Sequence, residues 1–76
     1  MNKGILNELN HAFGYGYITC SKSGRKLFCK YEDIDYETPQ VDDIVSFDLI
    51  EGYNSELAIN IRLFKMNNLQ EEKLAM

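Results

Sequence analysis

Tyr15-Gly16-Tyr17-Ile18-Thr19 and Lys26-Leu27-Phe28-Cys29-Lys30-Tyr31, with Cys20 to Arg25 between them, are the residues on which the fold turns. Each run alternates with period 2, as a strand does. The first puts Tyr15 and Tyr17 on one face and Ile18 on the other, and the second separates Phe28 from Leu27 and Cys29. Ser21-Lys22-Ser23-Gly24 is a polar turn in which Gly24 can take a positive φ, so the two runs read as a hairpin. For Ile18, Leu27 and Cys29 to share a face, Tyr17 must stand opposite Phe28, Tyr15 opposite Lys30 and Gly16 opposite Cys29. Cys20 then falls opposite Arg25. A disulfide needs Cα atoms within ~7 Å, which this register denies to Cys20 and Cys29. Cys29 reads as a small core residue and Cys20 as incidental.

Working outward, Asp42 to Ile50 alternates through Val45, Phe47 and Leu49, and Leu57 to Leu63 alternates through Leu57, Ile59, Ile61 and Leu63. Glu51 to Ser55 joins them as a second hairpin. Lys3 to Leu9 supplies a first strand with imperfect alternation. Five short strands without a helix among them predict an all-β fold, a small five-stranded antiparallel OB-type barrel over residues 1–64. Glu32 to Asp43 holds six acids and Pro39 and reads as a solvated connection between the third and fourth strands. Residues 65–76 form a C-terminal tail in which Asn67 or Asn68 can cap a short helix over Leu69 to Leu74. The favoured reading of that tail is disorder or loose docking on the barrel, the alternative being recruitment of a protein partner through Leu69, Leu74 and Met76.

The chain has 76 residues, 45% of them hydrophobic and 26% charged, with a single Pro. That composition is globular, not disordered or repetitive. No run of ~18 to 20 apolar residues offers a membrane span, and Met1 to Ile5 leads into no signal-peptide core, so the expected compartment is cytoplasmic. Two cysteines without CxxC or Cys/His spacing give no metal site. One His and no nucleophile-and-base pattern leave catalysis unsupplied, and no cofactor is expected. Net charge is −4, yet residues 1 to 31 carry five basic groups against Glu8 alone, while residues 32 to 76 carry eleven acids against Arg62, Lys65 and Lys73. One end can face a polyanion while the other keeps the protein soluble.

If Ile18, Leu27 and Cys29 point inward, Tyr15, Tyr17 and Phe28 share the outer face, bordered by Lys26 and Lys30. Exposed rings beside cations suit single-stranded nucleic acid, since every base offers a π-face and each stacked base is worth ~1 to 3 kcal/mol. The competing arrangement buries the rings and exposes Ile18, Leu27 and Cys29, an unfavourable trio to leave in water.

Phe13-Gly14-Tyr15-Gly16-Tyr17-Ile18-Thr19 resembles the first ribonucleoprotein motif of cold-shock domains, K-G-F-G-F-I, and Leu27-Phe28-Cys29-Lys30-Tyr31 resembles their second, V-F-V-H-F. Gly4-Ile5-Leu6, Asn10, Ile34, Val45-Ser46-Phe47, Gly52 and Ala58-Ile59-Asn60-Ile61 are similar to further family positions in the same order. The resemblance covers Gly4 to Leu63. It implies an OB barrel that binds single-stranded RNA or DNA through Phe13, Tyr15, Tyr17, Lys26, Phe28, Lys30 and Tyr31, with Tyr36 as the stacking residue of the following loop. Departures weaken that expectation. The family's strand-one Lys and Trp are Asn7 and Glu8 here, its adjacent Phe is Leu9, the Lys opening the first motif is Phe13, and the second-motif His is Lys30.

The expected function is therefore weak single-strand binding with little sequence preference, as a cold-shock-like RNA chaperone or regulator of transcript structure, working as a monomer or weak homodimer. The alternative is an OB-fold protein-interaction module that uses the same aromatic face.

Overall fold

Strands β1 (Asn2–Asn10), β2 (Tyr15–Cys20), β3 (Lys26–Lys30), β4 (Ile44–Glu51) and β5 (Glu56–Lys65) close into a barrel in the order β1-β2-β3-β5-β4, which β4 seals against β1. The computed structural model describes residues 2–52 and 56–65. The tail at 66–76, with its expected helix and the contact residues Leu69, Leu74 and Met76, lies outside the described residues.

The β2–β3 hairpin has the register that the alternation dictates, with Tyr17 across from Phe28, Tyr15 from Lys30 and Gly16 from Cys29. Gly24 turns the chain at φ 75°, and Cys20 donates its N–H to the Arg25 carbonyl at 2.8 Å. Gly16 is required for a different reason. A Cβ there would lie 2.8 Å from the Glu8 carbonyl oxygen on β1, so any side chain would push the first two strands apart.

The interior is filled by Leu6, Ile18, Leu27, Cys29, Val45, Phe47, Ala58 and Ile61. Burial pushes the Cys29 thiol up to about 11, with the Asp33 charge adding to it, so this sulfur stays protonated at neutral pH and acts as a small apolar group. Both cysteines are free.

The barrel is not wholly antiparallel. β3 and β5 run parallel, with Phe28 beside Leu57 and Cys29 beside Ala58. Five strands cannot alternate in direction all the way round a closed ring, so one seam must join two strands of the same sense.

A second correction concerns β5. Ala58 and Ile61 point inward, whereas Ile59 is only half-buried and Leu63 is exposed. The pairing slips between Ser46, opposite Arg62, and Asp48, opposite Ile59, so Asn60 and Ile61 together face Phe47. This is a β-bulge, with Asn60 at φ 51° in the left-handed region that Asn tolerates better than most residues. Its side-chain N–H donates to Asp48 Oδ2 at 3.0 Å. One extra residue exchanges the faces on its two sides and breaks the expected alternation.

The acidic connection is corrected at its end. Glu32, Asp35, Glu37 and Asp42 are exposed, but Asp43 is buried. Its Oδ2 accepts from the Tyr36 hydroxyl at 2.8 Å and from the Gln40 N–H at 2.9 Å. A carboxylate out of water needs such donors. The backbone joins in: Asp42 donates to the Leu6 carbonyl at 2.7 Å, and Leu6 donates to that of Asp43 at 2.9 Å. Upstream, a 3-10 turn at Tyr31–Asp33 leads into Ile34, which bridges to Ile61. The connection is thereby tied down at both ends.

Candidate nucleic-acid interface

Inward placement of Ile18, Leu27 and Cys29 obliges their neighbours to face out, because adjacent strand residues point to opposite sides. Tyr15, Tyr17 and Phe28 consequently meet on the outer face of β2–β3. Tyr15 and Phe28 stack with centroids 5.9 Å apart and planes 22° from parallel, while Tyr17 presents its ring edgewise to both, at 5.8 Å from Tyr15 and 5.7 Å from Phe28. These spacings lie within the range in which aromatic pairs attract. Phe28 keeps 38% of its surface exposed. Three contiguous, partly exposed rings thus line the outer face of the hairpin.

The electrostatics of this face depend on β1. Strict alternation from the inward Leu6 would send Glu8 into the barrel as well. Instead the pairing slips at Asn7, between Leu6 opposite Ile18 and Glu8 opposite Tyr17. The bulge turns Glu8 outward beside the rings and lets Leu9 pack against the core. Glu8 Oε1 lies 4.0 Å from Lys26 Nζ, which itself sits 4.7 Å from the centroid of Tyr17. Both side chains are about half-exposed, so the pair is worth little to stability. It nevertheless sets a carboxylate against the cation nearest the rings. Arg25 pairs with Glu56 at 2.8 Å and Arg62 with Asp35 at 3.8 Å. Lys30, across from Tyr15, is exposed and makes no ion pair among the described residues.

The remaining expected contacts divide. Tyr31 opens the 3-10 turn after β3, and its N–H donates to the Gly14 carbonyl at 2.8 Å, so it is fastened to the β1–β2 loop. Phe13, in that loop, is 80% exposed. Tyr36 stands apart: it packs on the core, and burial, then the Asp43 hydrogen bond, raise its hydroxyl well above the ordinary tyrosine range. It holds the connection closed.

Two features lay beyond the sequence reading. The Glu8–Lys26 pairing follows from the bulge at Asn7, for which the imperfect alternation of 3–9 was the only signal. The second is the pairing of His11 with Tyr31, whose rings lie 4.7 Å apart at 60°. His11 sits two residues before Phe13, and no local pattern points it at Tyr31.

No protein-family model matches this sequence, and no curated protein matches it. Among solved structures, the chain is similar to cold-shock domains 4–6 of Drosophila Unr, with a TM-score of 0.71 and 22% identity. The match covers 91% of this chain and 29% of that one, so the chain spans less than a third of the length of the structure it matches. The shared feature is the fold, a small five-stranded OB-type barrel, as the two sequence motifs implied.

Proposed function

On a barrel with the fold of a cold-shock domain, we propose that Tyr15, Tyr17 and Phe28 bind single-stranded RNA or DNA by base stacking, and that the chain acts without catalysis as an RNA chaperone or regulator of transcript structure. One observation carries this reading: the three rings form a contiguous, outward-facing cluster while the aliphatic residues of the same two strands fill the interior. Holding unpaired bases on the rings shifts a nucleic-acid hairpin toward its open strand by the binding free energy alone. Lys30 meets a phosphate, and Tyr31 and Phe13 extend the surface toward the β1–β2 loop.

The same geometry makes the affinity modest. Lys26 is shared with Glu8 and Arg25 with Glu56, which leaves few cations to release counterions, and log K falls by only ~0.7 per phosphate neutralised on a single strand. The salt dependence should be shallow.

Glu8→Trp tests the path of the strand. It removes the carboxylate, releases Lys26 and adds a fourth ring across from Tyr17. Oligo-pyrimidine binding, followed by fluorescence anisotropy, should tighten by the ~1 to 3 kcal/mol of one more stacked base. No gain, in a variant whose melting curve matches wild type, would remove nucleic acid from β1 and favour the same face as a docking surface for a protein.

A further inference from the structure

His11 and Tyr31 come from different loops, one after β1 and one after β3, yet their rings stand 4.7 Å apart and 60° from parallel. One backbone hydrogen bond ties the two loops together, and the Asn10 side chain and carbonyl shape the first of them. The Phe13 N–H donates to Asn10 Oδ1 at 2.9 Å, that of Gly14 to the Asn10 carbonyl at 2.8 Å, and that of Tyr31 to the Gly14 carbonyl at 2.8 Å. The loop therefore needs no contribution from the imidazole to keep its shape, and His11 remains exposed.

The two inclined rings make a corner. A flat group stacked on Tyr31 would lie within reach of the imidazole, whose ring nitrogens can hydrogen-bond to it. The corner is also continuous with the platform, because Tyr31 follows Lys30, which pairs across the ladder with Tyr15. A base stacked on Tyr31 would be the next in line after those on the triad.

We propose that His11 is a nucleic-acid contact that reads the edge of the base stacked on Tyr31. The contact falls at the base on Tyr31, at the loop end of the platform. It rests on the single-strand-binding reading above, and it supplies a polar contact to a base edge on a surface otherwise made of sequence-tolerant ring faces.

His11 is the only histidine in the chain, so its Cε1–H and Cδ2–H resonances are unambiguous in a proton NMR spectrum. The test is a titration of the full chain with an oligo-dT hexamer, run beside anisotropy on wild type, His11→Ala, His11→Phe and Tyr17→Ala, with thermal melts of each. Both imidazole resonances should move along the binding isotherm. His11→Ala should bind about five-fold more weakly with an unchanged melt, the low end of what a base contact supplies. His11→Phe should recover the ring contact in part and lose any preference among homopolymers. The proposal is overturned if the hexamer binds and Tyr17→Ala weakens it while the imidazole resonances stay still and His11→Ala binds as wild type. That outcome leaves the triad reading standing. Wild type that fails to bind at all overturns both.

Discussion

Phe47→Ala is expected to lose about 3 to 5 kcal/mol of stability, the range for removing an aromatic ring from a packed interior. A chain of this length has only about 4 to 11 kcal/mol in total, so the variant should lose a large share of its stability. Phe47 is the largest of the fully buried side chains. It lies on β4 opposite Asn2, where β4 seals the barrel, and it fills the space across which β5 bulges at Asn60 and Ile61. No neighbouring strand can close over the gap without breaking one of those seams. Urea unfolding followed by circular dichroism measures the loss directly. A change below about 1 kcal/mol would mean that the bulge relaxes and that Phe47 does not organise the interior.

Ile18→Ala should cost about 2 to 5 kcal/mol, while Tyr17→Ala, one residue earlier, should cost far less. Ile18 is wholly buried between its register partners, Leu6 on β1 and Leu27 on β3, whereas the Tyr17 ring rests on the outside against Tyr15 and Phe28. Binding should respond in the opposite order. Tyr17→Ala removes a stacking face worth ~1 to 3 kcal/mol, and Ile18→Ala, in its folded fraction, removes none. Thermal melts in which Tyr17→Ala proved the more destabilising change would reverse the assignment of faces on β2 and with it the binding surface.

The parts of this structure that could be read from the sequence are those governed by near neighbours. The hairpin from Tyr15 to Lys30 has two clean alternating runs and a polar turn, so one choice of inward face sets every pairing in it. Bulges defeat the same logic. A single added residue at Asn7 sends Glu8 outward beside Tyr17, and another at Asn60 exchanges the inward residues of β5, though neither leaves more than a break in alternation. The parallel seam between β3 and β5 depends on closure of the whole ring, which no local stretch encodes. Tyr36 and Asp43 illustrate the same limit in the connection. Six acids in twelve residues read as a solvated loop, but one carboxylate finds a hydroxyl and a backbone donor and becomes part of the barrel wall. Within the candidate site, Tyr15, Tyr17 and Phe28 follow from strand geometry, whereas the pairing of His11 with Tyr31 needs two loops to meet in space.

We propose that the outward rings of β2–β3 hold unpaired bases. The most direct test of this is a titration of labelled oligo-dT, oligo-U and a duplex, at one low and one moderate salt concentration, with wild type and Phe28→Ala side by side. Wild type should bind both single strands in the micromolar range or more weakly, bind duplex poorly, and show a shallow salt slope, and Phe28→Ala should weaken single-strand binding by about five-fold or more without a large change in melting. Undetectable binding of single strands at low salt, or binding that is indifferent to Phe28 and to strandedness, would contradict it.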